Sequence, residues 1–304
     1  MKKFIIRLTC FCIITIAVLI VMVGITIFIM QQASFKIDQS KNILILGASL
    51  TEASIDDTVF KRAINLSQSG TAYMYSYCKL KKILENNPQI DTVLFSFKYQ
   101  ELKESADNMI QGEEYLVPHV SFLITLLSKD ELMVFKDKIV LLQAILKVPV
   151  RNAVPVMRFF RSPTHFSYKD LRIGDFGKLY RNALQQDLSH RQVEVDDSIS
   201  EKESFLQRYY LLKMVDCCRE HHVKLILLCT PTYKPELYGN TAKLLEYHRK
   251  YVNEITLLDY SNFKFPDESY YGDTEHLNYK GAEFFTNYLQ KNLANDLKMQ
   301  DEKE

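Results

Sequence analysis

The chain has 304 residues, of which 47% are hydrophobic and 25% are charged. This composition is typical of a folded globular protein and excludes an intrinsically disordered or low-complexity chain. Lysine and arginine number 38 against 37 aspartate and glutamate residues, so the formal net charge is +1. Because no strong positive charge is available to attract a polyanion, a nucleic-acid-binding function is disfavoured.

An uncharged apolar segment lies near the N-terminus, from Leu8 to Met30. As a helix it would extend over about 35 Å, enough to cross a hydrocarbon core of about 30 Å. Lys2, Lys3 and Arg7 precede it, so we predict a cytoplasmic N-terminus, with residues 31–304 outside the plasma (inner) membrane. The length of the segment favours an uncleaved anchor over a signal peptide, whose apolar region is about 7–15 residues long.

Short apolar runs alternate with helical patterns after a linker at residues 31–41. This alternation is typical of a parallel sheet with helices packed on both faces. We therefore predict an α/β three-layer sandwich at residues 42–304. The predicted strands are Asn42–Leu46, Ala63–Leu66, Thr92–Phe97, Val223–Cys229 and Ile255–Leu258, with helices at Ala72–Asn86, Glu203–His221 and Glu283–Leu293.

A long segment with helical periodicity separates the third and fourth predicted strands, and we assign residues 111–204 to a helical insertion. Two apolar runs in it, Val120–Leu127 and Ile139–Val148, are too short to cross a membrane. We expect them to pack in a core, with contact along a bilayer surface as the alternative. Residues 147–181 are rich in lysine and arginine, which suits anionic lipid headgroups or an acidic polymer as well as a solvated surface. The polar residues 187–204 are typical of a loop.

A serine directly after the first predicted strand is the leading nucleophile candidate. Gly47-Ala48-Ser49 follows that strand, and open α/β sheets hold their sites at the carboxyl ends of their strands. Gly47 would permit a tight turn, and the N–H groups of a following helix would stabilise an oxyanion at Ser49. The alternative is that Ser49 only caps a helix. Thr51 stands where the α/β-hydrolase turn requires glycine, which disfavours that fold.

Asp273 and His276 lie three residues apart after the last predicted strand. A serine nucleophile needs a general base, and the base needs a carboxylate that orients its ring. Taken singly, Asp273 would be an ordinary turn residue and His276 a surface histidine. The three residues together, in this order and at one edge of the predicted sheet, predict a catalytic triad of Ser49, His276 and Asp273.

These residues resemble the motifs of the SGNH (GDSL-like) hydrolases and acyltransferases, and more closely their membrane-anchored extracytoplasmic branch. Gly47-Ala48-Ser49-Leu50 is similar to the family's Gly-Asp-Ser-Leu block, with Ala48 in place of aspartate. The segment Asn65–Gly70 resembles the second block, and Asp273–Asn278 resembles the last one.

The resemblance implies an oxyanion hole that includes the backbone N–H groups of Ser49 and Gly70. The family's third block, Gly-x-Asn-Asp, is missing, because Ser96–Glu101 stands at its position. Lys98 and Gln100 are the candidates to donate in place of the absent asparagine, and loss of such a donor costs about 10²–10³ in rate.

The resemblance extends over most of residues 42–110 and 205–294. It implies an extracytoplasmic esterase or O-acetyltransferase that acts on a cell-envelope or exported polysaccharide, or on another acylated surface polymer. Transfer would require a membrane-bound protein that delivers acyl groups. The missing asparagine leaves a catalytically inactive polysaccharide-binding or assembly protein as the alternative. A third hypothesis is an enzyme that acts on phospholipid or lipoprotein esters at the lipid surface.

The predicted chemistry requires no metal and no organic cofactor. The six cysteines show no spacing typical of a zinc site or a disulfide framework. The neighbours His221 and His222 would point about 100° apart on a helix, so we interpret them as part of a solvated helix end.

Overall fold

The computed structural model of the protein describes residues 1–180, 184, 202–233 and 241–301. The predicted loop at 187–204 lies outside the described residues, except for its last three. The chain divides into two units. We call Met1–Lys36 with Gln111–Ile173 the helical unit, and Ile37–Ile110 with Gly174–Glu304 the sheet unit.

The α-helices with described bounds are distributed over the two units. In chain order they are α1 Lys2–Gln31, α2 Ser49–Ser54, α3 Tyr73–Leu84, α4 Asn108–Gln111, α5 Glu113–Leu123, α6 Lys129–Val134, α7 Lys138–Leu146, α8 Val148–Arg151, α9 Ala153–Arg161, α10 Phe205–Glu220, α11 Thr241–Tyr251 and α12 Tyr279–Asp301. The predicted helices at Ala72–Asn86 and Glu203–His221 correspond to α3 and α10, each trimmed by one or two residues at its ends.

A parallel sheet forms the centre of the sheet unit. Within the described residues it has five strands, β1 Ile43–Leu46, β2 Ala63–Asn65, β3 Thr92–Ser96, β4 Lys224–Cys229 and β5 Thr256–Asp259, in the order β2-β1-β3-β4-β5. Every neighbouring pair is parallel, and each strand lies within one residue of its predicted bounds. The strand order changes direction at β1 and β3, and open α/β sheets bind their ligands beside such a switch point.

Helices cover both faces of the sheet. On one face, Ile45 and Leu94 belong to the same buried cluster as Phe285 of α12. On the opposite face, the ring of Phe95 lies 4.7 Å from the ring of Tyr73 in α3. The predicted α/β three-layer fold is therefore confirmed.

The helical unit contains α1 and helices α5 to α9. Among the described residues, α1 is the one helix long and apolar enough to cross a membrane. Its buried residues, Val23, Thr26, Ile29 and Met30, all lie towards its C-terminal end. In this part of the chain α1 contacts α7, α8 and α9.

The two apolar runs of the predicted insertion differ in burial. Val120 and Leu123 of α5 are buried, as expected. Ile139 and Leu142 of α7 are exposed, so the expected core packing is wrong for much of the second run. The reason is geometric, because α7 is apolar on all sides but packs on its neighbours with one side only, where Ala144 is buried.

Candidate active site

Ser49 begins α2 directly beyond the carboxyl end of β1. The turn between them is tight, because a Cβ on Gly47 would lie 2.5 Å from Cβ of Ser96 and 2.8 Å from Oγ1 of Thr51. Glycine is therefore the residue that fits without displacing the end of β3. The close approach of two neighbouring strand ends brings Ser49 to the edge of the sheet where its sequence position predicts it.

Asp273 and His276 lie on the loop between β5 and α12. Oδ1 of Asp273 accepts the backbone N–H groups of Glu275 at 2.8 Å and of His276 at 2.7 Å. The side chain of Asp273 is buried, while that of His276 is 19% exposed. The loop therefore holds the carboxylate in place through its own backbone and leaves the histidine ring partly open to a substrate.

Ser49, His276 and Asp273 form one chain of hydrogen bonds. Nδ1 of His276 lies 3.0 and 3.1 Å from the two carboxylate oxygens of Asp273, and Nε2 lies 2.9 Å from Oγ of Ser49. Because an ionised carboxylate can only accept, Nδ1 carries the ring proton and Nε2 accepts the serine hydroxyl. This is the geometry required of a nucleophile, its general base and the carboxylate that orients the base.

Asn278 holds the shape of the loop that carries the aspartate and the histidine. Its Nδ2 donates to the carbonyl oxygens of Ser269 at 2.7 Å and Tyr271 at 3.1 Å. Its Oδ1 accepts the N–H of Gly281 at 3.2 Å, within the first turn of α12. This cap explains why α12 begins at Tyr279, four residues before the predicted start.

The side chain of Asn65 connects the helix that carries Ser49 to the loop that leads to Gly70. Its Nδ2 donates to the carbonyl oxygen of Ile55, at the end of α2, and its Oδ1 accepts a backbone N–H of that loop. Gly70 has a φ of 67°, the left-handed conformation that favours glycine. Its neighbour Ser69 lines the same cavity as Ser49.

A half-buried carboxylate occupies the region beyond β3, where the asparagine expected from the SGNH resemblance is missing. Glu101 accepts hydrogen bonds from Oγ of Ser96 at 3.1 Å and from the hydroxyl of Tyr73 at 3.2 Å. Burial raises the pKa of Glu101 and lowers that of Lys98. Nε2 of Gln100 is buried without a hydrogen-bond partner among the described residues. Neither Lys98 nor Gln100 belongs to the described lining of the cavity at Ser49.

The cavity at Ser49 has a volume of about 520 Å³. Its described lining consists of Ser49, Glu52, Ala53, Ser69, Gly177, Lys178, Leu179, Asp273 and His276. Among the residues that the structure describes, no group of three or more histidine, cysteine, aspartate or glutamate side chains is arranged to hold a metal ion.

The segment 174–179, which falls within the predicted insertion, forms one wall of this cavity. Gly174 has a φ of 116°, and a Cβ there would lie 2.3 Å from the carbonyl oxygen of Leu66. The N–H of Gly177 donates to the carbonyl oxygen of Glu52 at 3.0 Å. These contacts place the segment beside the loop Asn65–Gly70. The two closely spaced glycines, Gly174 and Gly177, are the sequence signal that could have revealed this wall.

Glu52 is a second lining residue that the motifs did not reveal. It lies one helical turn beyond Ser49, on the same side of α2. Burial raises the pKa of its carboxyl group. The hydrogen bond that it accepts from the hydroxyl of Ser69 lowers this pKa, but the effect of burial is larger. Glu52 therefore adds a polar group to a wall that also contains the apolar Ala53 and Leu179.

Comparison with known proteins finds distant structural likeness and a family model that matches part of the chain. The chain is similar to a "putative acylhydrolase" from Bacteroides fragilis NCTC 9343, with 12% identity, a TM-score of 0.37, and coverage of 84% of this chain and 88% of that one. It is also similar to a GDSL-like lipase from Bacteroides thetaiotaomicron VPI-5482, with 8% identity, a TM-score of 0.38, and coverage of 86% and 92%. A protein-family model without a description matches residues 181–298, and no curated protein matches the chain. The interpretation of the site therefore depends on the geometry of this chain.

Proposed function

We propose that the chain is an SGNH-type serine esterase or O-acetyltransferase. The observation that carries the proposal is the hydrogen-bonded chain from Ser49 through His276 to Asp273 at the sheet edge. Oγ of Ser49 attacks the carbonyl carbon of an acyl ester while Nε2 of His276 takes the hydroxyl proton. Asp273 orients the ring and stabilises the imidazolium, and the N–H groups of Ser49 and Gly70 bind the oxyanion.

The same residues complete the reaction, with His276 acting first as a general acid and then again as a general base. The tetrahedral intermediate loses its alcohol, which takes the proton from His276, and an acyl group remains on Ser49. A second nucleophile then gives its proton to His276 and attacks the acyl carbon. The second tetrahedral intermediate collapses as its bond to Oγ of Ser49 breaks, and Oγ takes the proton back from His276. If that nucleophile is water, the protein is an esterase, and if it is a sugar hydroxyl, the protein is an O-acetyltransferase. A cavity of about 520 Å³ has room for an acetyl group and part of a sugar acceptor.

The proposed location is the outer face of the plasma (inner) membrane. The length and apolar composition of α1 support a membrane-spanning anchor. Lys2, Lys3 and Arg7 at its start support a cytoplasmic N-terminus. The sheet unit would then meet a cell-envelope or exported polysaccharide, and a membrane-bound acyl-donor protein would supply the group for transfer.

A catalytically inactive polysaccharide-binding or assembly protein is the second candidate. The observation in its favour is the region beyond β3, where Ser96 and Tyr73 hold the Glu101 carboxylate. Lys98 and Gln100, the candidate replacements for the missing oxyanion donor, do not belong to the described lining of the cavity.

Labelling with a fluorophosphonate probe distinguishes the two candidates. Full-length protein in detergent micelles is treated with the probe and digested, and the modified residue is identified by mass spectrometry. We expect one adduct, on Ser49, that is absent from Ser49→Ala and His276→Ala and retained in Glu275→Gln. The absence of an adduct in protein that unfolds cooperatively would refute the enzymatic proposal and favour the binding protein.

The direction of transfer is measured separately. An isotopically labelled acetyl ester is supplied with and without oligosaccharides that carry free hydroxyl groups. Label recovered as acetate in both cases would identify an esterase, whereas label recovered on sugar would identify a transferase. In either case the Ser49→Ala variant is expected to release no more label than the uncatalysed reaction.

A further inference from the structure

An exposed apolar stripe runs along α7, α8 and α9 in the helical unit. Its large side chains are 40% to 80% exposed and recur at intervals of three, four or seven residues: Ile139, Leu142, Leu146, Val150, Met157 and Phe160. Such spacing places side chains on one side of successive helical turns. Scattered apolar residues are ordinary on protein surfaces, whereas a contiguous apolar patch marks an interaction surface.

The three helices follow one helical path, so the stripe is continuous. The N–H of Arg151 donates to the carbonyl oxygen of Lys147 at 3.0 Å, and the N–H of Val156 donates to that of Asn152 at 3.0 Å. The N–H groups of the junction residues Lys147 and Asn152 donate in turn to the carbonyl oxygens of Gln143 at 3.1 Å and Val148 at 3.0 Å, so the hydrogen bonding of an α-helix continues on both sides of each junction. The stripe therefore extends over residues 139–160.

The contacts with α1 locate this path relative to a bilayer. The last charged residue of α1 is Arg7, and a hydrocarbon core of about 30 Å takes about 20 residues of helix, so the core would end near residue 27. Burial in α1 begins at Val23, and α1 contacts α7, α8 and α9. Those contacts would begin about 6 Å inside the core. An interfacial helix typically buries its apolar face about 5–10 Å into the same boundary.

The charges along the path complement anionic lipid headgroups. Residues 138–161 contain no aspartate or glutamate, and their basic residues are Lys138, Lys147, Arg151, Arg158 and Arg161. The side chain of Arg158 is 54% exposed and lies 3.4 Å from Asp170. Apolar residues bordered by cations are the pattern of helices that lie in a membrane interface.

We propose that the apolar stripe of α7 to α9 lies in the outer leaflet of the membrane that α1 spans, with acyl chains against its apolar side chains and anionic headgroups at its basic residues. This inference rests on the proposed membrane location of α1. It means that the helical unit contacts the bilayer at two places, through a spanning helix and through an interfacial one, and it restricts rotation of that unit about α1.

Tryptophan fluorescence tests the inference cleanly, because the chain contains no tryptophan. Phe160→Trp and Leu142→Trp report on the stripe, and Ile16→Trp reports on α1. Phe205→Trp, which is at a position 65% exposed in the sheet unit, is the matched control. Each full-length variant is reconstituted into vesicles of phosphatidylcholine and phosphatidylglycerol whose acyl chains carry bromine at a shallow or a deep position.

We expect bromine near the headgroups to quench both stripe variants more than bromine near the bilayer centre does, with the opposite order for Ile16→Trp and no quenching of Phe205→Trp. Quenching of Ile16→Trp without quenching of Phe160→Trp and Leu142→Trp would overturn the inference, but it would agree with the proposal that α1 spans the membrane. A stripe emission that shifts to shorter wavelength without quenching would also overturn it, because protein, such as a second copy of the chain, would then cover the stripe. If Ile16→Trp is not quenched either, the membrane location itself is wrong.

Discussion

Replacing Asp273 with asparagine tests whether this residue orients the general base. Oδ1 of Asp273 accepts two backbone N–H groups, from Glu275 at 2.8 Å and from His276 at 2.7 Å. An asparagine would keep its oxygen on these donors and would turn its NH₂ group towards the ring. The backbone contacts of the loop would therefore survive the substitution, and the change would be confined to the hydrogen bond with the imidazole.

The consequence for the histidine follows from the direction of that bond. The new amide donates to Nδ1 of His276, so the ring proton moves to Nε2, which faces Oγ of Ser49 at 2.9 Å. In this tautomer Nε2 cannot accept the serine proton. We expect the rate of acylation to fall by about 10⁴-fold, which corresponds to about 5 kcal/mol of lost transition-state stabilisation.

The assay compares the rate of fluorophosphonate labelling and the release of p-nitrophenol from p-nitrophenyl acetate in full-length variants. Glu275→Gln is the matched control, because it removes one negative charge from the neighbouring position and leaves the triad intact. Thermal unfolding checks that the Asp273→Asn variant is folded. A folded variant whose rate falls by less than about tenfold would refute the assigned role of Asp273.

Three further substitutions test the framework of the site. Gly47→Ala places a Cβ 2.5 Å from Cβ of Ser96, so it is expected to destabilise the protein by about 1–3 kcal/mol in urea unfolding and to slow labelling. Asn278→Ala leaves two carbonyl oxygens without their donor, and we expect a loss of about 1–3 kcal/mol with slower labelling, whereas unchanged labelling would contradict its positioning role. Lys79 of α3 is buried, and its Nζ donates to the carbonyl oxygen of Leu66 at 3.0 Å. Burial lowers the pKa of Lys79 to about 7, so between pH 7 and pH 10 the unfolded chain binds one proton more than the folded chain, and the stability falls as the pH falls. Lys79→Met removes this dependence, and its stability relative to the parent is expected to rise by up to about 1.4 kcal/mol for each unit of decreasing pH in that range.

The positions of the strands illustrate how much local sequence determines. Buried parallel strands are apolar on both faces, so each strand is a short apolar run that stands out from its helical surroundings. For this reason the predicted strand ends agree with β1 to β5 within one residue. The start of α12 was less predictable, because it depends on the side chain of Asn278 rather than on periodicity.

The candidate triad was predictable as a set of residues, because Ser49, Asp273 and His276 follow strands whose carboxyl ends meet at one edge of a sheet. The contact between Ser49 and His276 was not predictable from local sequence, since the two residues are 227 residues apart in the chain. The distances that join them exist only once β1 and β5 are placed in the same sheet.

The cavity wall and the apolar stripe were decided by the tertiary structure alone. Segment 174–179 reaches the site because Gly174 fits against the carbonyl of Leu66, a contact with no counterpart in local pattern. In α7, the sequence shows a helix that is apolar on every side, and packing alone decides that Ala144 is buried while Ile139 is exposed. Periodicity depends on neighbours along the chain, whereas burial depends on which distant segments meet, and that is why the sequence determined the elements and the tertiary structure decided their exposed faces.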